Sequence, residues 1–203
     1  MENSQQIIKY LEEVANVLLD LRVPVPFHLL IAGGAYMLLL QKRQSTEDID
    51  FAVIESPRSR HTQNSVFRVQ VKKAEISGNS STVPYATEFK QAVETVAHKY
   101  KNLPEDWLND EAAVYYYDDA PHAEVTFWRS FGNILHVYLP TMEYMLATKI
   151  AAYRPKDRND IRVLIGELNI RTRDQAQAIA DAFLLPDAQE FWEVKKKLKR
   201  LFP

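Results

Sequence analysis

The sequence predicts an α/β (α+β) protein, with a mixed sheet flanked by helices over residues 1–139 and a helical subdomain over residues 140–203. Three observations predict it. Apolar residues recur at spacings of three and four in residues 5–21 and again beyond Pro140, which is the helical period. The apolar run at 27–32 reads as a buried strand, and 48–54 reads as a second strand. Between residues 67 and 72, Phe67, Val69 and Val71 alternate with Arg68, Gln70 and Lys72, the period of a half-buried strand.

In chain order, Ile7, Leu11, Val14, Leu18 and Leu21 give the first helix one apolar face, and Val23-Pro24-Val25-Pro26 ends it in a stiff connector. A strand at 27–32, a helix at 35–42 and a strand at 48–54 follow. Residues 56–65 and 77–82 read as polar loops on either side of the alternating strand. Phe89, Ala92, Val93, Val96 and Ala97 mark a helix over 85–101, which Pro104 breaks before a short element at 104–110. Three segments then read as strands, at 112–117, 123–130 and 134–139. Pro140-Thr141 opens a helix to about residue 153, and Asp157 is placed to cap the next one. Thr172-x-x-Gln175 and Asp187-x-x-Glu190 read as capping boxes of two further helices. The final stretch sets Phe191, Val194, Leu198 and Phe202 as an apolar stripe beside Lys195, Lys196, Lys197, Lys199 and Arg200.

With 203 residues, 46% hydrophobic content and 11% aromatics, the chain is long enough to bury a core of its own. A net charge of −2 draws the whole molecule to neither nucleic acid nor membrane. Having no cysteine, it holds no disulfide, thiolate metal site or cysteine nucleophile, which suits a reducing compartment. The first residues are amphipathic and acidic, unlike a signal or transit peptide, and no apolar run approaches the ~18 residues that span a bilayer. A soluble, cytoplasmic protein is the expectation.

Chemistry concentrates in residues 29–54. Gly33-Gly34 separates a strand from a helix and leaves backbone N–H groups open to phosphate. Asp48 and Asp50 stand two apart in a strand, so their carboxylates share a face and offer two hard oxygen donors to Mg²⁺. Arg43, Ser45 and Thr46 lie in the intervening turn, where they can approach the phosphates or serve only as a helix end and turn residues. Lys149 falls in the middle of the inward stripe Met142, Met145, Leu146, Ile150 and Tyr153, where a lysine either snorkels to the rim or holds an anion. Asp157 and Asp160 suit the positive end of a helix as well as they suit an active site. Five histidines, at 28, 61, 98, 122 and 136, have no metal-ligand spacing. Arg58, Arg60, Arg68, Lys72 and Lys73 make 57–73 basic, either a solvated hairpin or a grip for RNA phosphates.

GGA at 33–35 with RQSTEDID at 43–50 resembles the signature of the nucleotidyltransferase superfamily that includes DNA polymerase β. Within it, the chain is most similar to the small AbiEii-like bacterial enzymes and related proteins. Lys149, Lys156, Asp157 and Asp160 within 139–161, and PEDWLND at 104–110, carry the narrower likeness, whereas 55–83 carries none. The resemblance implies transfer of a nucleotide from a nucleoside triphosphate to an acceptor hydroxyl on an RNA end, a protein or a small molecule, with Mg²⁺ or Mn²⁺. It implies Asp48 and Asp50 as metal ligands, and Gly33, Gly34, Arg43, Ser45, Thr46 and Lys149 as nucleotide contacts. Lys149, Asp157 and Asp160 would join the catalytic set, with Asp160 preferred over Asp157. Such enzymes commonly carry a third carboxylate on a later strand. Glu75, Asp118, Asp119 and Glu124 are the candidates, and Glu124 is chosen because it lies inside an expected strand. The resemblance also allows a catalytically reduced nucleotide-binding module, or half of a toxin–antitoxin pair with an antitoxin partner.

Overall fold

The structure, a computed structural model, describes residues 1–56, 65–72, 76, 83–101, 103–110 and 113–203. Its centre is a six-stranded mixed sheet in the order β3-β5-β6-β1-β2-β4. The strands are β1 (Phe27–Ile31), β2 (Ile49–Val53), β3 (Val66–Gln70), β4 (Leu108–Asn109), β5 (His122–Phe131) and β6 (Leu135–Pro140). β1 runs parallel to β6 and antiparallel to β2, while β2 runs parallel to β4. β5 is antiparallel to both β3 and β6. The three residues between β5 and β6 place Gly132 and Asn133 at positive φ, and the Ile134 N–H closes the turn on Phe131 O at 3.1 Å.

Helix α1 (Ser4–Asp20) buries Ile7, Leu11, Val14, Ala15 and Leu18, the face its sequence period sets out. It lies beside α3 (Ala86–Lys99), joined by Lys99 to Glu13 at 2.7 and 2.8 Å and by the Tyr10–Tyr100 ring pair. Phe89 of α3 meets Phe27 and Phe51 at ring distances of 4.8 and 5.6 Å, so α3 covers the sheet face that carries the odd-numbered residues of β1 and β2. Trp107, fully buried, donates its indole N–H to Val93 O and fastens the start of β4 to α3.

The C-terminal part is helical: α5 (Met142–Ala152), a 3-10 turn (Pro155–Asp157), α6 (Arg158–Glu167), α7 (Arg173–Phe183), α8 (Pro186–Phe191) and α9 (Val194–Leu201). Thr141 caps α5 through Tyr144 N, and the Thr172–Gln175 capping box of α7 forms as read. No helix among the described residues is long and apolar enough to cross a membrane.

Three expectations fail. Residues 113–117 are helix rather than the expected strand: they belong to α4 (Ala113–Asp119). Its run of Val and Tyr favours a strand by propensity, but Ala113, Tyr116 and Ala120 recur at three and four and are all buried, so packing decides. The Asp187–Glu190 capping box does not form, because the cap falls two residues earlier, at Leu185, with Pro186 in the first turn of α8. Phe191 is not part of the last helix's stripe. A break at Trp192–Glu193, with Glu193 at φ 49°, rotates it out to 75% exposure while Val194 and Leu198 stay buried.

Candidate functional site

Ala32 ends β1 in extended backbone and its N–H donates to Asp50 O at 2.8 Å. Gly33 then turns the chain at φ +62°, a conformation that costs a side-chain-bearing residue roughly 1–2 kcal/mol, and opens α2 (Gly33–Leu39). The glycine pair thus forms the first turn of the helix, two residues earlier than its apolar pattern begins. Its second reason is space. A Cβ on Gly33 would stand 2.0 Å from Asp50 Oδ2, and one on Gly34 would stand 2.6 Å from Thr46 Oγ1 and 2.9 Å from Arg43 Nη1. The bare backbone of the turn is therefore the floor on which the Asp50 carboxylate, Thr46 and Arg43 rest.

Thr46 is buried and donates its hydroxyl to Asp48 O at 3.0 Å, which fixes the approach to β2. Ser45, next to it, is exposed. Asp48 lies just ahead of β2 and Asp50 is its second residue, both half-buried. Burial, and then the charge of Asp48, push the Asp50 carboxyl above its usual range, against Lys156, Arg154 and Lys149, which pull it down. A carboxylate whose charge is disfavoured by burial and by a neighbouring carboxylate suits a cation beside it.

The helical part supplies a second cluster. Lys149 is 4% exposed, so it does not snorkel; its Nζ donates to Asp160 Oδ2 at 2.8 Å and Asp157 Oδ1 at 3.2 Å. Both carboxylates are buried. Asp157 stands at the N-cap of α6, but its side chain does not cap that helix. It accepts instead from Arg154, with Nε at 2.7 Å and the backbone N–H at 3.3 Å, because the 3-10 turn folds Arg154 back over it. Burial alone would raise the Asp157 pKa, yet the Arg154 hydrogen bonds and the Lys149 charge outweigh it and the net shift is downward. Arg43 reaches Asp160 at 3.7 Å, and Lys42, in the turn after α2, meets Glu167 of α6 at 2.8 Å. These two contacts tie the glycine–aspartate half of the site to the helical half.

Glu124 is not brought to this place. Register pairs run Ile31–Phe51, Leu30–Tyr138 and Val125–Pro140, so continuing each ladder aligns Asp50, Ala32, Pro140 and Val125 in one row. Glu124, one residue off that row, points to the opposite sheet face, three strands or about 14 Å away. It lies opposite Arg68 of β3, an oppositely charged cross-strand neighbour. Asp118 is exposed, and Asp119 accepts the Trp192 indole N–H at 2.7 Å in a contact between α4 and the last helices. Glu75, like Arg58, Arg60 and Lys73 of the basic segment, lies outside the described residues.

No group of three or more histidines or carboxylates able to hold a metal occurs among the described residues. A magnesium ion nevertheless fits what is present, since Mg²⁺ is commonly held by one or two carboxylates together with substrate phosphates. The bare turn at Gly33 lets the Asp50 carboxylate stand where a side chain at position 33 would otherwise be. Two residues of the site escaped the sequence reading. Arg154 was legible only as a charge before Pro155, and Tyr116 was hidden in a segment read as a strand; the spacing of Ala113, Tyr116 and Ala120 was the signal for it.

No family model matches the chain, and neither a curated protein nor a solved structure resembles it at a significant level.

Proposed function

We propose that the protein is a nucleotidyltransferase that moves a nucleotide from a nucleoside triphosphate to an acceptor hydroxyl. The observation that carries this reading is the closure of the Gly33 backbone onto the Asp50 carboxylate, with Gly34 against Thr46 and Arg43. It joins a phosphate-binding turn to a pair of hard oxygen donors, a combination with little use in a purely structural corner. The reading is further supported by Asp50 lying on β2 of a mixed sheet, beside the strand β1 that leads into the glycine turn.

In the reaction, the acceptor oxygen attacks the α-phosphorus, the α–β bridging bond breaks, pyrophosphate leaves, and the acceptor proton passes to solvent. Asp48 and Asp50 would hold Mg²⁺ or Mn²⁺, which supplies charge neutralisation on the phosphates and a lower pKa for the acceptor hydroxyl. Arg43 and Arg154 keep 38% and 44% of their side chains exposed and present cationic N–H groups to the β- and γ-phosphates. Lys149 acts from behind: its ion pairs hold Asp157 and Asp160, and through them Arg154 and Arg43, in place. Charge developing on pyrophosphate is thereby met by donors already oriented.

A second reading keeps the nucleotide site and loses turnover, as in a sensing or toxin–antitoxin module. It is favoured by Glu124 facing away and by the lack of a three-carboxylate group among the described residues. Incubation with each α-labelled triphosphate, magnesium, total RNA and total protein separates the two. The proposal expects label transfer that Asp48→Ala and Asp50→Ala each abolish without loss of fold. Transfer that survives in both variants would refute it, and magnesium-dependent binding without transfer would favour the second reading.

A further inference from the structure

Helix α4 follows β4, whose Asn109 pairs in register with Asp50, and α4 itself packs against β2. Its inward residue Tyr116 is 6% exposed. The ring stacks on Tyr144 of α5 at 6.2 Å and 24°. Tyr144 is in turn fixed by its hydroxyl donating to Ala120 O at 2.8 Å and by the edge of Phe183 at 5.6 Å. The aromatic stack therefore holds the Tyr116 ring between α4, which packs on β2, and α5 of the helical half. The charged groups that act on Tyr116 are Asp50 from β2 and Arg154 and Asp157 from the helical part.

Resting on the nucleotide-binding reading above, we propose that Tyr116 is a further binding residue of this site, its hydroxyl donating a hydrogen bond to a phosphate oxygen of the bound triphosphate. The Tyr116 ring is buried, but its hydroxyl is not among the fully enclosed polar atoms that lack a partner, so packing holds the ring while the hydroxyl stays open to donate to a ligand. Burial, with the Asp50 charge second, raises its pKa far above the ordinary value, so it remains a neutral donor throughout the physiological range. Lys149, by contrast, already spends donors on Asp157 and Asp160. A hydroxyl does here what a further carboxylate cannot: it approaches phosphate without adding negative charge.

The test is calorimetric titration with magnesium tripolyphosphate, which needs no choice of base, and with the magnesium complexes of the four triphosphates. Tyr116→Phe keeps the ring and its stack; it should fold with unchanged or raised melting temperature and bind about tenfold more weakly, the loss of one hydrogen bond to a charged partner. Tyr144→Phe keeps the ring of the stack, so it should lower the melting temperature and weaken binding by less than Tyr116→Phe does. Wild-type affinity in Tyr116→Phe, or an equal loss of affinity in Tyr144→Phe, would overturn the inference while leaving the nucleotide site standing. If the unaltered protein binds neither probe, the inference falls together with the reading beneath it.

Discussion

Replacing Lys149 by Met tests what holds the helical half of the site together. Met keeps the length and packing of the stem and removes only the ammonium. Two charge-assisted hydrogen bonds disappear, at 2.8 Å to Asp160 and 3.2 Å to Asp157, all three side chains being 5% exposed or less. Asp157 retains Arg154 at 2.7 Å, but Asp160 is left with Arg43 at 3.7 Å, so most of the cost falls on Asp160. Breaking a buried pair from one side costs about 3–5 kcal/mol. At about 2–4 °C per kcal/mol for a chain of this size, the melting temperature should fall by roughly 10 °C. The assay is urea unfolding followed by circular dichroism, on Lys149→Met, Asp160→Asn and the double variant. The double variant should recover at least half of the loss, because it no longer buries an uncompensated carboxylate. A loss below about 1 kcal/mol, or single-variant losses that simply add, would refute the positional role of Lys149.

Asp157 makes the fold acid-sensitive. Its folded pKa lies below the unfolded one, so its stabilising contribution is present above about pH 3.9 and is lost as pH falls through the folded value. Asp157→Asn should therefore be less stable than the unaltered protein at pH 7, with the difference shrinking as pH drops below about 4; a constant difference in denaturant midpoint across pH would contradict this. Gly33→Ala puts a methyl group where Asp50 Oδ2 now stands and forces a left-handed alanine. The strain alone is worth roughly 1–2 kcal/mol. Displacement of Asp50 should abolish magnesium-dependent triphosphate binding in a chain that still folds by circular dichroism, and binding retained at full strength would show that the close approach is incidental.

Much of this was legible in the sequence because periodicity and burial agree. The apolar face of α1, the order strand–glycine pair–helix–strand, and the buried position of Lys149 all follow from residues whose local preference and tertiary surroundings point the same way. The helix α4 was misread because Val114 and three tyrosines favour extended backbone, while the Tyr116–Tyr144 stack that holds it helical joins residues distant in sequence. Asp157 looked like a cap because its position is right, but the carboxylate follows the cations that the 3-10 turn and α5 bring to it. Glu124 was placed in a strand correctly. Which face it takes depends on strand order and register, and neither is written in a local pattern. For the same reason Lys149 came with two readings: a lysine in an apolar stripe either snorkels to the rim or holds an anion, and only the folded chain brings Asp157 and Asp160 to it.

The central claim is that Asp48, Asp50 and the Gly33–Gly34 turn bind a magnesium–triphosphate complex. It is tested most directly by the thermal shift produced by ATP, CTP, GTP and UTP, each with and without magnesium, on the unaltered protein and on Asp50→Asn. The account predicts a magnesium-dependent rise in melting temperature with at least one triphosphate, about 2.7 kcal/mol of added stability at a hundredfold excess over Kd, and its disappearance in Asp50→Asn. The variant should itself be no less stable without ligand, since burial and Asp48 disfavour the charge it removes. A shift that is independent of magnesium, survives in Asp50→Asn, or is absent with all four triphosphates would contradict the account.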